Sequence, residues 1–323
     1  MSVLSQPHFY NEPEAFKFLE SVVWANGVVC PHCGVEGGRV YDLSGVRGKP
    51  SVKNPEGAIR YGLKKCGECR QQFTAKVGTV FEHARMPLHK MLQAVHLIVS
   101  SKKGISAHQL SRILEVQYKS AWFLAHRIRE AMRSGDLATP FGSNGGAVEV
   151  DETYFGLKTG AVKARGGHAH KMGVLALVDR DSGTMRTFTF DKFRAEQVQP
   201  IVLANISREA RLMTDEARMY WKIGREFAEH GSTLHGVGRY VDRTDPTIHT
   251  NTVEGAFSIF KRGMKGVYQH CGEQHLHRYL AEFEFRYNTR TANGFDDRAR
   301  ATAGLKGIVG KRLTYRRADE AVA

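Results

Sequence analysis

The chain has 323 residues, 41% of them hydrophobic, and carries a formal net charge of +14. That length exceeds one ordinary domain and points to two or three packed modules, while the apolar content excludes a disordered chain. Apolar runs short of the ~20 residues that span a bilayer, and a start without signal-peptide build, lead us to expect a cytosolic protein, and the excess of positive charge points to nucleic acid as its long anionic partner.

The first chemistry-bearing motifs are two C-x-x-C knuckles, Cys30/Cys33 in CPHCG and Cys66/Cys69 in KCGECRQQF, flanking residues 34–65. Two-residue spacing lets both thiolates of a knuckle reach one tetrahedral ion, and four thiolates leave no open position, so the expected ion is one structural Zn2+. Gly34 and Gly67 give the knuckles permissive backbone. Between them Asp42, Gly45, Gly48, Pro50, Asn54, Pro55 and Gly57 read as a looped-out hairpin tip. Cys271 is left over and reads as a small apolar residue. Residues 1–82 are thus expected to form a zinc ribbon with an N-terminal helix.

From Met86 to Met132 the apolar spacing becomes helical. Leu92, Val95, His96 and Val99 share one face; Gly104 breaks that helix, Ser106 caps the next, and Leu110, Ile113 and Leu114 form its apolar side. After a break at Glu115–Gln117, a third helix turns Ala121, Leu124, Ala125, Ile128 and Met132 inward and leaves Arg127, Arg129 and Arg133 near the surface. Residues 83–135 therefore read as a helix-turn-helix-like DNA-binding segment, with Lys119, Arg127 and Arg129 as phosphate contacts. A helical bundle with a basic solvated side is the competing reading.

Beyond a turn-rich stretch at Ser134–Gly146, strands are expected at Ala147–Val150, running into Asp151, and at Met172–Val178, with a hairpin at Asp179–Gly183 returning through Met185–Phe190. A helix at Ala195–Ala204, a strand at Arg211–Thr214 running into Asp215, and a helix at Met219–His230 follow. This order is that of an α/β, RNase H-like mixed-sheet domain, placed at 146–290. In it Asp151 stands on the central strand and Asp215 at the end of a neighbour, where their carboxylates can share divalent cations of the magnesium kind. Alternation puts Glu149 on the face of Asp151 as a supporting group and Glu152 on the other, solvated. The last motif, T-N-T-V-E-G-A-F-S-I-F-K-R-G, reads as a helix that packs Phe257 and Phe260 and carries Glu254 and Lys261 two turns apart on one face. Asn251 lies on that face too and offers an amide oxygen in place of the Glu254 carboxylate. His249, at the mouth of this helix, is the histidine most worth testing.

The two knuckles with C-x-x-C-R-Q-Q-F-T and G-T-V-F, then V-D-E-T-Y-F-G, M-T-D-E, H-T-N-T-V-E-G-A-F-S-I-F-K-R-G and Y-L-A-E-F-E-F-R-Y-N, together resemble the ISXO2-like (IS1595) insertion-sequence transposases over nearly the whole chain. The resemblance implies a DDE transposase that cuts at insertion-sequence ends and joins the 3′ hydroxyls to target DNA by two-metal phosphoryl transfer. It implies two Mg2+ (or Mn2+) per active site held by Asp151, Asp215 and Glu254, with Asn251 as the alternative third ligand and Lys261 and Arg262 on DNA. It further implies double-stranded DNA partners, the terminal inverted repeats and the target, bound by a homodimer or larger assembly at a prokaryotic nucleoid. The residues alone leave open another RNase H-like nuclease or a non-catalytic zinc-ribbon regulator. Residues 291–323, with Lys306, Lys311, Arg312, Arg316 and Arg317, are expected as a basic tail.

Overall fold

The computed structural model describes residues 2–52, 54–133, 139–191, 193–234, 236 and 238–314. They fall into two units, one drawn from Met1–Ser101, Ile105–Met132 and the chain from Asp297 onward, the other from Lys102–Gly104 and Arg133–Asp296.

In the first unit helix α1 (Glu12–Val23) starts on Asn11, whose side chain accepts from the Glu14 amide at 3.2 Å. Strands β1 (Val40–Asp42), β4 (Lys64–Cys66) and β5 (Gln72–Phe73) form a three-stranded antiparallel sheet in the order β1-β4-β5, and β2 (Val46–Arg47) pairs with β3 (Ile59–Arg60) as a separate ribbon. That ribbon lies in the stretch expected to loop out as a hairpin. Helices α2 (Leu88–Ser100), α3 (Ala107–Leu114) and α4 (Tyr118–Met132) follow. Ser106 caps α3 by accepting from the Gln109 amide at 3.1 Å, and α3 ends at Glu115, which takes the left-handed conformation before α4 begins.

Three placements in this unit differ from the sequence expectation. Arg127 and Arg129 are buried, at 9% and 2% exposure. The reason is that α4 packs against α2, α3 and also α9 (Asp297–Lys306), so that more than its apolar face is covered. Arg127 lies over the Phe123 ring and donates to the Glu82 carbonyl at 3.0 Å instead of facing solvent. Ile113 is exposed, because Leu110 and Leu114, one turn apart, suffice to bury the short α3. The region read as a basic tail contributes α9 to this unit; Arg316 and Arg317 lie outside the described residues.

The second unit is built on a five-stranded mixed sheet: β6 (Ala147–Phe155), β7 (Met172–Asp179), β8 (Thr184–Phe190), β9 (Arg211–Asp215) and β10 (Glu229–Thr233), in the order β10-β9-β6-β7-β8. β6 runs antiparallel to β7 and parallel to β9. Every residue of β7 is buried, and its alternation feeds two cores at once. Val174, Ala176 and Val178 meet helices α7 (Asn251–Gly263) and α8 (Leu276–Asn288), while Leu175 and Leu177 meet α5 (Ala195–Asn205) and α6 (Met219–Gly224). The result is a sheet between two helical layers. The β7–β8 hairpin turns on Gly183 at φ +62°, with Arg290 and Asn293 crowding its Cα, so a side chain there would meet both backbone and steric strain.

The helix expected over Met219–His230 is cut short. α6 ends at Gly224 and the chain turns into β10, which pairs in parallel with β9. Gly224 permits this reversal: a Cβ there would lie 2.1 Å from His230 Nδ1.

Candidate active site

Parallel pairing of β6 with β9 sets Val148 beside Leu212 and Glu149 beside Met213, where the recorded ladder ends. Continuing that register two residues brings Asp215, the last residue of β9, alongside Asp151. Beyond the ladder the carboxylates are free to converge, and one oxygen each of Asp151, Glu152 and Asp215 lie within 4.8 Å of one another. Asp151 Oδ1 accepts from the Glu152 amide at 2.8 Å, Asp215 Oδ1 from the Ala217 amide at 3.0 Å, and Glu152 Oε2 from the Tyr220 hydroxyl at 2.8 Å.

Glu152 is therefore half-buried and part of the cluster, not solvated as alternation suggested. It does lie across the strand from Asp151, on the side of α6, where buried Tyr220 holds it. Asp215 at the splayed strand end is within reach of both. The V-D-E adjacency was the sequence signal for Glu152. Tyr220 carried none, since its role depends on the tertiary fold alone.

Electrostatics follow from this crowding. Burial first, and then the charges of Glu152, Asp215 and Glu254, push the Asp151 carboxyl up to about 8. Burial and then Asp215 raise Glu152 to about 7, against the opposing Tyr220 bond. Burial pushes the Tyr220 hydroxyl well above its ordinary range. Like charges ~4 Å apart repel by about 4 kcal/mol at an effective dielectric near 20. A divalent cation removes that repulsion and takes oxygen ligands from Asp and Glu, so the donor set fits a hard ion of the Mg2+ or Mn2+ kind.

The other residues expected at the acidic centre sit on α7 or just before it. Glu254, in its first turn and half-buried, stands outside the three-carboxylate group yet is close enough to add to the rise of Asp151; Thr250 Oγ1 donates to its Oε1 at 3.3 Å. Asn251 is exposed at the first position of the helix. Lys261 is half-buried two turns on, and Arg262, exposed, donates through Nε to the Ser258 carbonyl at 3.2 Å. His249 precedes the helix with its Nδ1 2.9 Å from Arg180 Nη2, and burial, followed by the Arg180 charge, lowers its proton affinity.

The cysteine cluster of the first unit has its own geometry. Cys30 and Cys69 Sγ are 3.7 Å apart, Cys33 and Cys66 Sγ 3.8 Å, and all four sulfurs lie within 4.8 Å of one another. A tetrahedron with metal–sulfur bonds of ~2.3 Å has edges of about 3.8 Å. The four sulfurs thus stand at the spacing of a structural zinc site, over a small core of Phe73 with Trp24, Val28 and Val35.

A mixed sheet of order β10-β9-β6-β7-β8, flanked by helices on both faces and carrying Asp151 midway along its central strand and Asp215 at the end of that strand's parallel neighbour, defines an RNase H-like domain with a cluster of acids beyond the β6–β9 ladder. Residues 144–288 match the ISXO2-like transposase domain and residues 10–72 the transposase zinc-ribbon domain of the IS1595 group. The chain thus carries both domains of the ISXO2-like (IS1595) transposases. It is 26% identical over 299 residues to an uncharacterized protein in transposable element ISH50 of Halobacterium salinarum, covering 86% of this chain and 91% of that one. A chain from the simian T-cell lymphotropic virus intasome in complex with the PP2A regulatory subunit B56 gamma is similar at 12% identity and a TM-score of 0.30, over 60% of this chain and 65% of the other. No helix of the described residues is long and apolar enough to cross a membrane.

Proposed function

We propose that this transposase cuts DNA at the ends of its insertion sequence and joins the freed 3′ hydroxyls to target DNA. The observation that carries this reading is the convergence of Asp151, Glu152 and Asp215 at the open end of the β6–β9 pair in a chain with this transposase domain. Two Mg2+ or Mn2+ ions bound there would activate the attacking oxygen and stabilise the leaving one. Asp151 and Asp215 would hold them, with Glu254 on α7 as the third ligand in preference to exposed Asn251, because a carboxylate binds a hard cation better than an amide. Glu152 and Tyr220 fix the protonation of the cluster. In the first reaction water opens a phosphodiester at the transposon end and leaves a 3′ hydroxyl. In the second, that hydroxyl attacks a target phosphodiester and displaces the target's own 3′ oxygen.

Lys261 and Arg262, beyond Glu254 on the same helix, contact phosphate near the centre, and exposed Lys119 at the start of α4 contacts duplex in a helix-turn-helix-like mode. Arg127 and Arg129, being buried, hold the helical unit together. Cys30, Cys33, Cys66 and Cys69 hold one structural Zn2+. Joining two ends calls for two active sites, hence a homodimer or larger assembly on terminal repeats and target, at the nucleoid of a prokaryotic cytoplasm.

The test is incubation of the purified full chain with a duplex that carries the uncut transposon end with its flanking DNA, and supercoiled plasmid, in Mg2+. Covalently joined product supports the reading. Cutting without joining overturns it in favour of a nuclease, and DNA binding with neither reaction overturns it in favour of a regulator.

A further inference from the structure

Helix α7 begins without a cap of its own. Thr250, the residue before it, makes no side-chain capping bond, and its hydroxyl donates instead to Glu254. The missing acceptor is supplied from β6. Glu149, with 0% exposure, accepts from the Val253 amide at 2.8 Å, the donor a capping side chain of the helix itself would have served, and also from Thr252 Oγ1 at 2.7 Å. Its carboxylate also meets the positive end of the α7 dipole.

The same carboxylate is clamped from β7. Arg180, just past the end of β7, donates through Nε to Glu149 Oε1 at 2.6 Å, through Nη1 to the Thr247 carbonyl at 2.6 Å and through Nη2 to the His249 carbonyl at 2.7 Å. His249 Nδ1 lies 3.3 Å from Glu149 Oε1. Central strand, β7 and the chain entering α7 are thereby tied at one buried anion.

The consequence concerns the metal centre. Glu149 precedes Asp151 by two residues on the same face of β6, a separation of about 6.6 Å along a strand. Val253, which it binds, is followed directly by Glu254. We infer that Glu149 is a positioning residue, clamped by Arg180, that fixes the Glu254-bearing turn of α7 at a set distance from Asp151 and so assembles the carboxylates that hold the divalent ions. This inference rests on the reading of Asp151 and Glu254 as ligands.

The test measures Mn2+ binding to the full chain by calorimetry, alongside strand transfer across a Mn2+ titration, for wild type, Glu149→Gln and Thr252→Ala. Groups that orient metal ligands typically change affinity by about 10–100-fold when altered. Glu149→Gln should raise the half-saturating Mn2+ by that factor and recover strand transfer at saturating Mn2+. Thr252→Ala, which removes one donor from a half-buried side chain, should raise it several-fold and keeps the comparison available if Glu149→Gln fails to fold. Half-saturation unchanged in a folded variant, with only thermal stability lowered, would overturn the inference. Wild type that binds Mn2+ without strand transfer would overturn the functional reading alone, since the binding comparison stands without turnover.

Discussion

Loading the acidic centre with metal must release protons, and the amount follows from the cluster. With Asp151 at about 8 and Glu152 at about 7, the metal-free protein at pH 7 carries roughly 0.9 and 0.5 proton on these carboxyls. Metal held by Asp151 and Asp215, whose positive charge also favours ionised Glu152 beside them, should expel up to about 1.4 protons at pH 7 and about 0.1 at pH 9. Apparent affinity should accordingly rise toward pH 9 and then level. Calorimetric titration with Mg2+ or Mn2+ in two buffers of different ionisation enthalpy measures the number directly. Asp215→Asn, which removes a charge acting on both carboxyls, should lower the release of the folded variant. A release at pH 7 no larger than at pH 9 would refute the reasoning, because the acids would then be ionised before metal arrives.

The same shifts predict stability. Both carboxyls bind protons more tightly folded than unfolded, so the metal-free protein should lose stability as pH rises from about 4 to about 8, by several kcal/mol in total, and Mg2+ should restore it; thermal melts with and without the ion read this. Tyr220→Phe removes the hydroxyl that favours ionised Glu152, and should move the pH midpoint of metal binding upward and cost about 1–3 kcal/mol of stability. Cys66→Ser should abolish stoichiometric zinc, read by elemental analysis, and alter the emission of Trp24, whose ring lies 5.8 Å from that of Phe73 in the cysteine core. Leu175→Ala, fully buried in β7, should cost about 2–5 kcal/mol in denaturant unfolding.

Where spacing alone fixes the chemistry, the sequence was readable. The knuckles needed only their two-residue intervals, and the sulfurs meet at tetrahedral distances. Asp215 was legible because a strand running into an acid marks a strand end; Asp151 was expected at such an end too, but β6 runs on to Phe155 along its pairing with β7 and leaves Asp151 midway on a strand that is central, as expected, with β9 beside it. The α7 face was legible from its period, with Phe257 and Phe260 buried as expected. What failed depended on partners distant in sequence. Alternation assigned Glu152 to solvent, but Tyr220 waits on that side and Asp215 reaches across the splayed strand end. The helical pattern of Met219–His230 ran on through a strand because pairing with β9 outweighs local propensity there. Arg127 and Arg129 looked superficial because a helical period does not show that α2, α3 and α9 all pack on α4, or that the Glu82 carbonyl takes the Arg127 guanidinium.

The central claim is that Asp151 and Asp215 hold the ions that drive DNA strand transfer. Replacing Asp215 with cysteine tests it most directly, since a thiolate is a poor ligand for Mg2+ and a better one for softer Mn2+. Strand transfer by folded, DNA-binding Asp215→Cys protein should vanish in Mg2+ and return in Mn2+. Transfer in Mg2+ at the wild-type rate would contradict the account.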